Sequence, residues 1–153
     1  MIIAIDGPAG SGKSTIARMV AEGLGFTYVN SGNIYRAMTL RVLRAGLDAG
    51  DARAVLDCSR SASIEYRSGR LFLDGEDAEA ELHSQAVDSL VAQLSAIPEL
   101  RDIVNAHVRR VAGRTDAVAA GGRGTRESRV RCTRSAARDV PATSKMRSAP
   151  RIR

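Results

Sequence analysis

The stretch GPAGSGKS, from Gly7 to Ser14, meets every fixed position of G-x-x-x-x-G-K-[ST]. A loop of this kind turns consecutive backbone N–H groups inward around phosphate oxygens, and a helix starting at its end adds partial positive charge. In that chemistry Gly7, Pro8, Ala9, Gly10, Ser11, Gly12, Lys13, Ser14 and Thr15 form the ATP site. Lys13 bridges the β- and γ-phosphates, and the Ser14 hydroxyl is the candidate metal ligand, so ATP and Mg²⁺ are the expected cofactors. Ser11 and Thr15 add hydrogen bonds. The bland alternative, a glycine-rich turn with a chance lysine, does not account for the strand before it and the helix after it.

A second cluster follows in NSGNIYRAMT at 30–39. Ligands of an open parallel sheet lie beyond the C-terminal ends of its strands. A helix opening here after a strand therefore faces the same crevice as the phosphate loop. Arg36 suits bidentate pairing with an acceptor phosphate, against the alternative of a solvated arginine on an amphipathic helix. A phosphate loop alone names no reaction. The sequence has no NKxD guanine-reading motif, which argues against a GTPase, and 153 residues are too few for a motor-type ATPase.

The elements that must position these residues are legible in outline. IIAID at 2–6 is a β-branched run that predicts a buried parallel strand. Apolar residues at helical spacing predict a helix over 13–24, closed by Gly25, and FTYV at 26–29 predicts the next strand. Helices are predicted over 32–46 and 51–59, the second capped by Asp51. Alternation on both sides of Ser68-Gly69 predicts a β-hairpin, and so an inserted unit. Two more helices, 84–94 and 98–112, are separated by Pro98, and DAVAA at 116–120 predicts a strand returning to the sheet.

Charge divides the chain. Residues 1–120 hold 13 Lys+Arg and 15 Asp+Glu, and residues 121–153 hold 10 and 2. A nearly neutral unit therefore carries a basic tail. The tail's large apolar residues, Val130, Cys132, Val140, Met146 and Ile152, fit no period, so 126–153 is expected to lack packed structure. Cys58 and Cys132 make neither a disulfide framework nor a metal cluster. No secretory leader and no long apolar run occur, and a cytoplasmic setting is expected.

Four segments, IIAIDGPAGSGKST, NSGNIYRAMTLRVLRAG, LFLDGEDAEAELHSQAV and AIPELR, follow one another as in bacterial cytidylate kinases. Over about residues 2–123 the chain resembles that family. The resemblance implies a P-loop nucleoside monophosphate kinase-like α/β fold: a parallel sheet with flanking helices, a mobile lid and a hairpin-bearing, nucleotide-binding insert. The kinase core would span 1–120, with the insert at about 60–95. It implies transfer of the ATP γ-phosphoryl group to CMP or dCMP by a monomer acting on small molecules. Lys13, Arg36 and Arg123 would be catalytic, and Ser31, Tyr35, Arg36, Arg101 and Arg123 would contact the acceptor.

The sequence departs from the family pattern at Asn30, at Ala92 in place of a base-contacting serine, and around Arg123, where flanking acidic residues are missing. Beyond Thr125 the family's next strand, lid arginines and final helices find no counterpart, so impaired activity is expected. A slipped frame or decayed gene near residue 121 is preferred over a solvated linker or a basic arm for nucleic acid. A kinase for another small acceptor and a non-catalytic nucleotide or nucleic-acid binder are the competing functions.

Overall fold

The computed structural model describes residues 1–7 and 10–121, together with the backbone of 129–133. Chain order is β1 (Ile2–Asp6), α1 (Lys13–Leu24), β2 (Thr27–Asn30), α2 (Ser31–Arg44), α3 (Ala52–Arg60), β3 (Ile64–Arg67), β4 (Arg70–Leu73), β5 (Glu76–Asp77), α4 (Gln85–Ser95), α5 (Pro98–Arg114), β6 (Ala117–Gly121) and β7 (Arg129–Thr133). Among the described residues, no helix is long and apolar enough to cross a membrane.

The main sheet runs β2-β6-β1-β7, with β2, β6 and β1 parallel. The central strand is the short AVAAG run of β6. Its small side chains let helices approach both faces of the sheet. On one face Ile5, Val118 and Ala120 pack against Ala17 and Ala21 of α1. On the other lies the larger core, in which Val29 and Ala117 meet Ile34 and Met38 of α2 and Leu100 and Val104 of α5. Gly25 closes α1, its N–H reaching the carbonyls of Ala21 and Glu22. Asp51 caps α3 through Ala54 N–H at 3.0 Å, and Pro98 opens α5, as the sequence predicts.

The predicted hairpin is β3–β4. Ser68 and Gly69 at its turn have φ of 49° and 76°, the pair of positive angles that a two-residue type I′ turn demands. A second such turn, at Asp74 and Gly75, leads into the short β5, which the sequence reading does not resolve. This three-stranded sheet adds Leu71 and Leu73 to the larger core.

Arginines of α2 fasten the small sheet to the rest. Arg41 Nε donates to Asp74 Oδ2 at 2.6 Å, and its Nη1 donates to the Cys58 carbonyl and to Ser61 Oγ. Arg44 reaches Glu76 and Glu81. Partial burial works to raise the Asp74 carboxyl, but the Ser63 N–H and the Arg41 guanidinium outweigh it and hold the group below the ordinary carboxylate value.

The expected parallel sheet is formed by β1, β6 and β2, and β7 adds an antiparallel strand on the free edge of β1. One sequence expectation needs correction: β7 lies inside 126–153, expected to be without structure. Its register runs from Ile2↔Thr133 to Asp6↔Arg129. The pairing is a backbone ladder on an open strand edge, which needs no long apolar period. The five residues RVRCT are too few for their alternation to stand out from an arginine-rich background. Residues 122–128 and 134–153 lie outside the described residues, and the reading of a slipped frame or decayed gene near residue 121 falls on them.

One buried group ties stability to pH. His107 on α5 is 2 % exposed, and its Nδ1 has no hydrogen-bond partner. Burial, joined by the charge of Arg110, pushes the imidazole below its ordinary value of 6.5, while its hydrogen bond with the Ser59 backbone pulls the other way. The unfolded chain thus binds a proton that the folded chain refuses. The stabilisation is complete above about pH 6.5 and is lost as pH falls below it. The thermal midpoint should drop between pH 7 and pH 5. His107→Gln should cost about 1–2 kcal/mol at pH 7 and flatten that dependence. Equal pH dependence in parent and variant would contradict this assignment.

Candidate active site

Asp6 ends β1 and Gly7 follows it, buried. The chain then turns through Gly10 and Gly12, with φ of 76° and 75°, a conformation that L side chains rarely adopt. Pro8 and Ala9 lie outside the described residues. Lys13 is the first residue of α1, with Ser14 and Thr15 exposed beside it. Gly12 supplies no side-chain cap, and the first turn of α1 holds no acidic residue. The residue at the N-cap thus leaves room at the helix end, whose positive pole suits an anion.

The second half of the site starts at β2, on the other side of β6 from β1. β2 ends at Asn30, whose side chain accepts from Gly32 N–H at 2.9 Å and so caps α2. The departure at Asn30 is thus a local exchange, since asparagine caps a helix as well as aspartate or serine does. The Asn30 carbonyl accepts from Tyr66 Oη at 3.4 Å, which joins the small sheet to this corner. Burial pushes the Tyr66 phenol above its ordinary value and keeps it a neutral donor.

Ser31, the first residue of α2, points at the end of β6. A Cβ built on Gly121 would lie 3.3 Å from Ser31 Oγ and 3.4 Å from Asp6 Oδ1. The hydroxyl and the carboxylate thus flank the one position on β6 that lacks a side chain. The sequence reading does not name Asp6. Its signal was positional: it is the last strand residue before a phosphate loop, at the sheet end where ligands bind.

The expected acceptor residues are placed unevenly. Tyr35 is partly buried against the larger core, and its carbonyl accepts from Thr39 Oγ1 at 2.9 Å. Arg36 donates through Nη1 to the Leu82 carbonyl at 3.0 Å and to Asp88 Oδ1. Arg101, in the first part of α5, is exposed and makes no hydrogen bond or ion pair among the described residues. Ala92 lies exposed on α4. Arg123 falls outside the described residues. A cleft of about 520 Å³ lies at the far end of α1, lined by Arg18, Glu22, Tyr28, Tyr66 and Glu79, and no residue of the phosphate loop lines it.

The cap at Asn30 gives this corner a direct test. Asn30→Ala should destabilise the fold by about 1 kcal/mol in urea denaturation, and Asn30→Asp should cost far less. Equal losses in the two variants would remove the cap from the account.

Comparison with known proteins bears on what this crevice serves. The Cytidylate kinase family model matches residues 3–127. A protein named Cytidylate kinase from Symbiobacterium thermophilum is 46 % identical over 106 residues, covering 66 % of this chain and 47 % of its own length. One from Caldanaerobacter subterraneus subsp. tengcongensis is 44 % identical over 110 residues, 72 % of this chain and 49 % of the relative. One from Rhodococcus jostii is 36 % identical over 127 residues, 80 % of this chain and 56 % of the relative. The chain spans about half the length of the curated relatives it matches. With the family match covering both the phosphate loop and the Asp6–Ser31–Gly121 corner, the chain belongs to the cytidylate kinase family.

Proposed function

We propose that the protein transfers the γ-phosphoryl group of ATP to CMP or dCMP, giving ADP and the nucleoside diphosphate. The supporting observation is the placement of the phosphate loop and the Ser31 corner at the C-terminal ends of β1 and β2, the two parallel strands that flank β6, in a chain of this family. Donor and acceptor phosphates then meet in one crevice. Phosphoryl transfer asks little covalent chemistry of a protein and depends on alignment and charge neutralisation.

In this reading the loop N–H groups from Gly7 to Thr15 cradle the donor phosphates. Lys13 neutralises charge that builds on the transferring group. Ser14 Oγ is the protein ligand for Mg²⁺. The described residues contain no cluster of three or more His, Cys, Asp or Glu side chains for a metal. That fits Mg²⁺, which keeps most of its shell for water and substrate phosphates. When bound, the ion neutralises the β- and γ-phosphate oxygens.

On the acceptor side, Ser31 contacts the nucleotide, Arg36 and Arg101 hold its phosphate, Arg123 joins them, and Tyr35 supports the helix that carries Arg36. The core is residues 1–120 and includes a nucleotide-binding insert at about 60–95. Ala92 and the missing aspartate after Arg123 remove two contacts expected to read the base, so acceptor binding and turnover are weakened and discrimination among pyrimidines is reduced. The setting proposed is a cytoplasmic monomer.

A coupled ADP-release assay with CMP, UMP, AMP and shikimate tests the reading. CMP should support the fastest release, and Lys13→Ala should lower it at least about 100-fold. Release that is independent of CMP, or equal with shikimate, would sink the proposal. Gly121→Ala should raise the KM for CMP about 3- to 10-fold and leave the KM for ATP unchanged, because the new methyl group displaces Ser31 and Asp6 by only a few tenths of an ångström.

A further inference from the structure

Arg36 is the residue assigned to the acceptor phosphate, and it already holds an anion. Its Nη1 donates to Asp88 Oδ1 and to the Leu82 carbonyl, so both contacts fall on one terminal nitrogen. The Arg36 side chain is 24 % exposed and that of Asp88 52 %. Asp88 belongs to the first turn of α4. The positive end of that helix stabilises a carboxylate there whether or not Arg36 stays beside it. Nor is the pair needed as a fastening. Arg41 and Arg44, further along α2, tie the small sheet down through Asp74, Glu76 and Glu81. Val87 and Leu94 bury α4 against the same core as Met38 of α2.

Charge then decides what the pair does. A guanidinium stays protonated at any relevant pH. With Asp88 beside it, the pair presents no net charge to an incoming phosphate dianion. We propose that Asp88 competes with the acceptor phosphate for Arg36 and thereby sets how tightly the acceptor binds. This rests on the reading of Arg36 as an acceptor ligand. The acceptor either displaces Asp88 from Nη1 or binds the Nε–Nη2 edge and bears the repulsion of the carboxylate. Both routes cost affinity, and both leave the nucleoside moiety untouched.

Isothermal titration of CMP and of cytidine into the parent chain, Asp88→Asn and Arg36→Gln tests this. Asparagine keeps an oxygen for Nη1 and removes only the charge. Asp88→Asn should tighten CMP about 3- to 10-fold and leave cytidine unchanged. In the Arg36→Gln background the same substitution should give no such gain. If Arg36→Gln weakens CMP but Asp88→Asn leaves it unchanged or weakens it, Asp88 does not compete and this inference falls alone. If Arg36→Gln binds CMP as the parent does, or the parent binds none, the acceptor reading of Arg36 falls with it. Asp88→Ser provides a second neutral variant should the asparagine form fail to fold.

Discussion

The chemistry of this chain depends on the register of three parallel strands. Asp6 of β1 pairs with Gly121 of β6, and Asn30 of β2 pairs with Ala120. The strands therefore end within one residue of each other. From those ends leave the phosphate loop and α2, each going to a different face of the sheet. A slip of one residue would carry Val118 and Ala120 away from α1 and turn Ala117 toward it, breaking both cores at once. Burial on the two faces thus fixes the register, and the register fixes the distance between the two halves of the crevice.

The helix α2 carries the next burden. Its apolar stripe, Ile34, Ala37, Met38 and Val42, is fully buried and leaves it no freedom to rotate. Its first residue faces the crevice, and its arginines reach the three-stranded sheet and the segment leading into α4. Arg41 and Arg44 engage carboxylates far from Ser31, whereas Arg36 engages the start of α4. One rigid helix therefore relates the three-stranded sheet and α4 to the Ser31 corner.

Much of this was legible in the sequence because it follows local rules. The phosphate loop is a spacing of residue types. Asp51, Pro98 and the Ser68-Gly69 turn each obey a cap or turn preference whose cause lies within four residues. The three strands and five helices predicted from apolar periodicity, with the hairpin, all occur, with ends moved by at most two residues. What was not legible depends on partners distant in the chain. Asp6 gains its place only when β1 and β6 pair, across a separation that no motif spans. The Arg36–Asp88 contact joins residues 52 positions apart. β7 forms because β1 offers an open edge, not because its own residues insist on a strand.

Gly121 shows how the two kinds of information combine. Read locally, it is the small residue that ends an apolar strand and begins a basic tail. In the folded chain it is the gap through which a carboxylate on one strand and a hydroxyl on a helix come to the same place. A side chain there would not disturb the strand pairing, which is made by the backbone. It would fill the space where the two polar groups converge. The demand for glycine at this position therefore comes from the crevice rather than from the sheet.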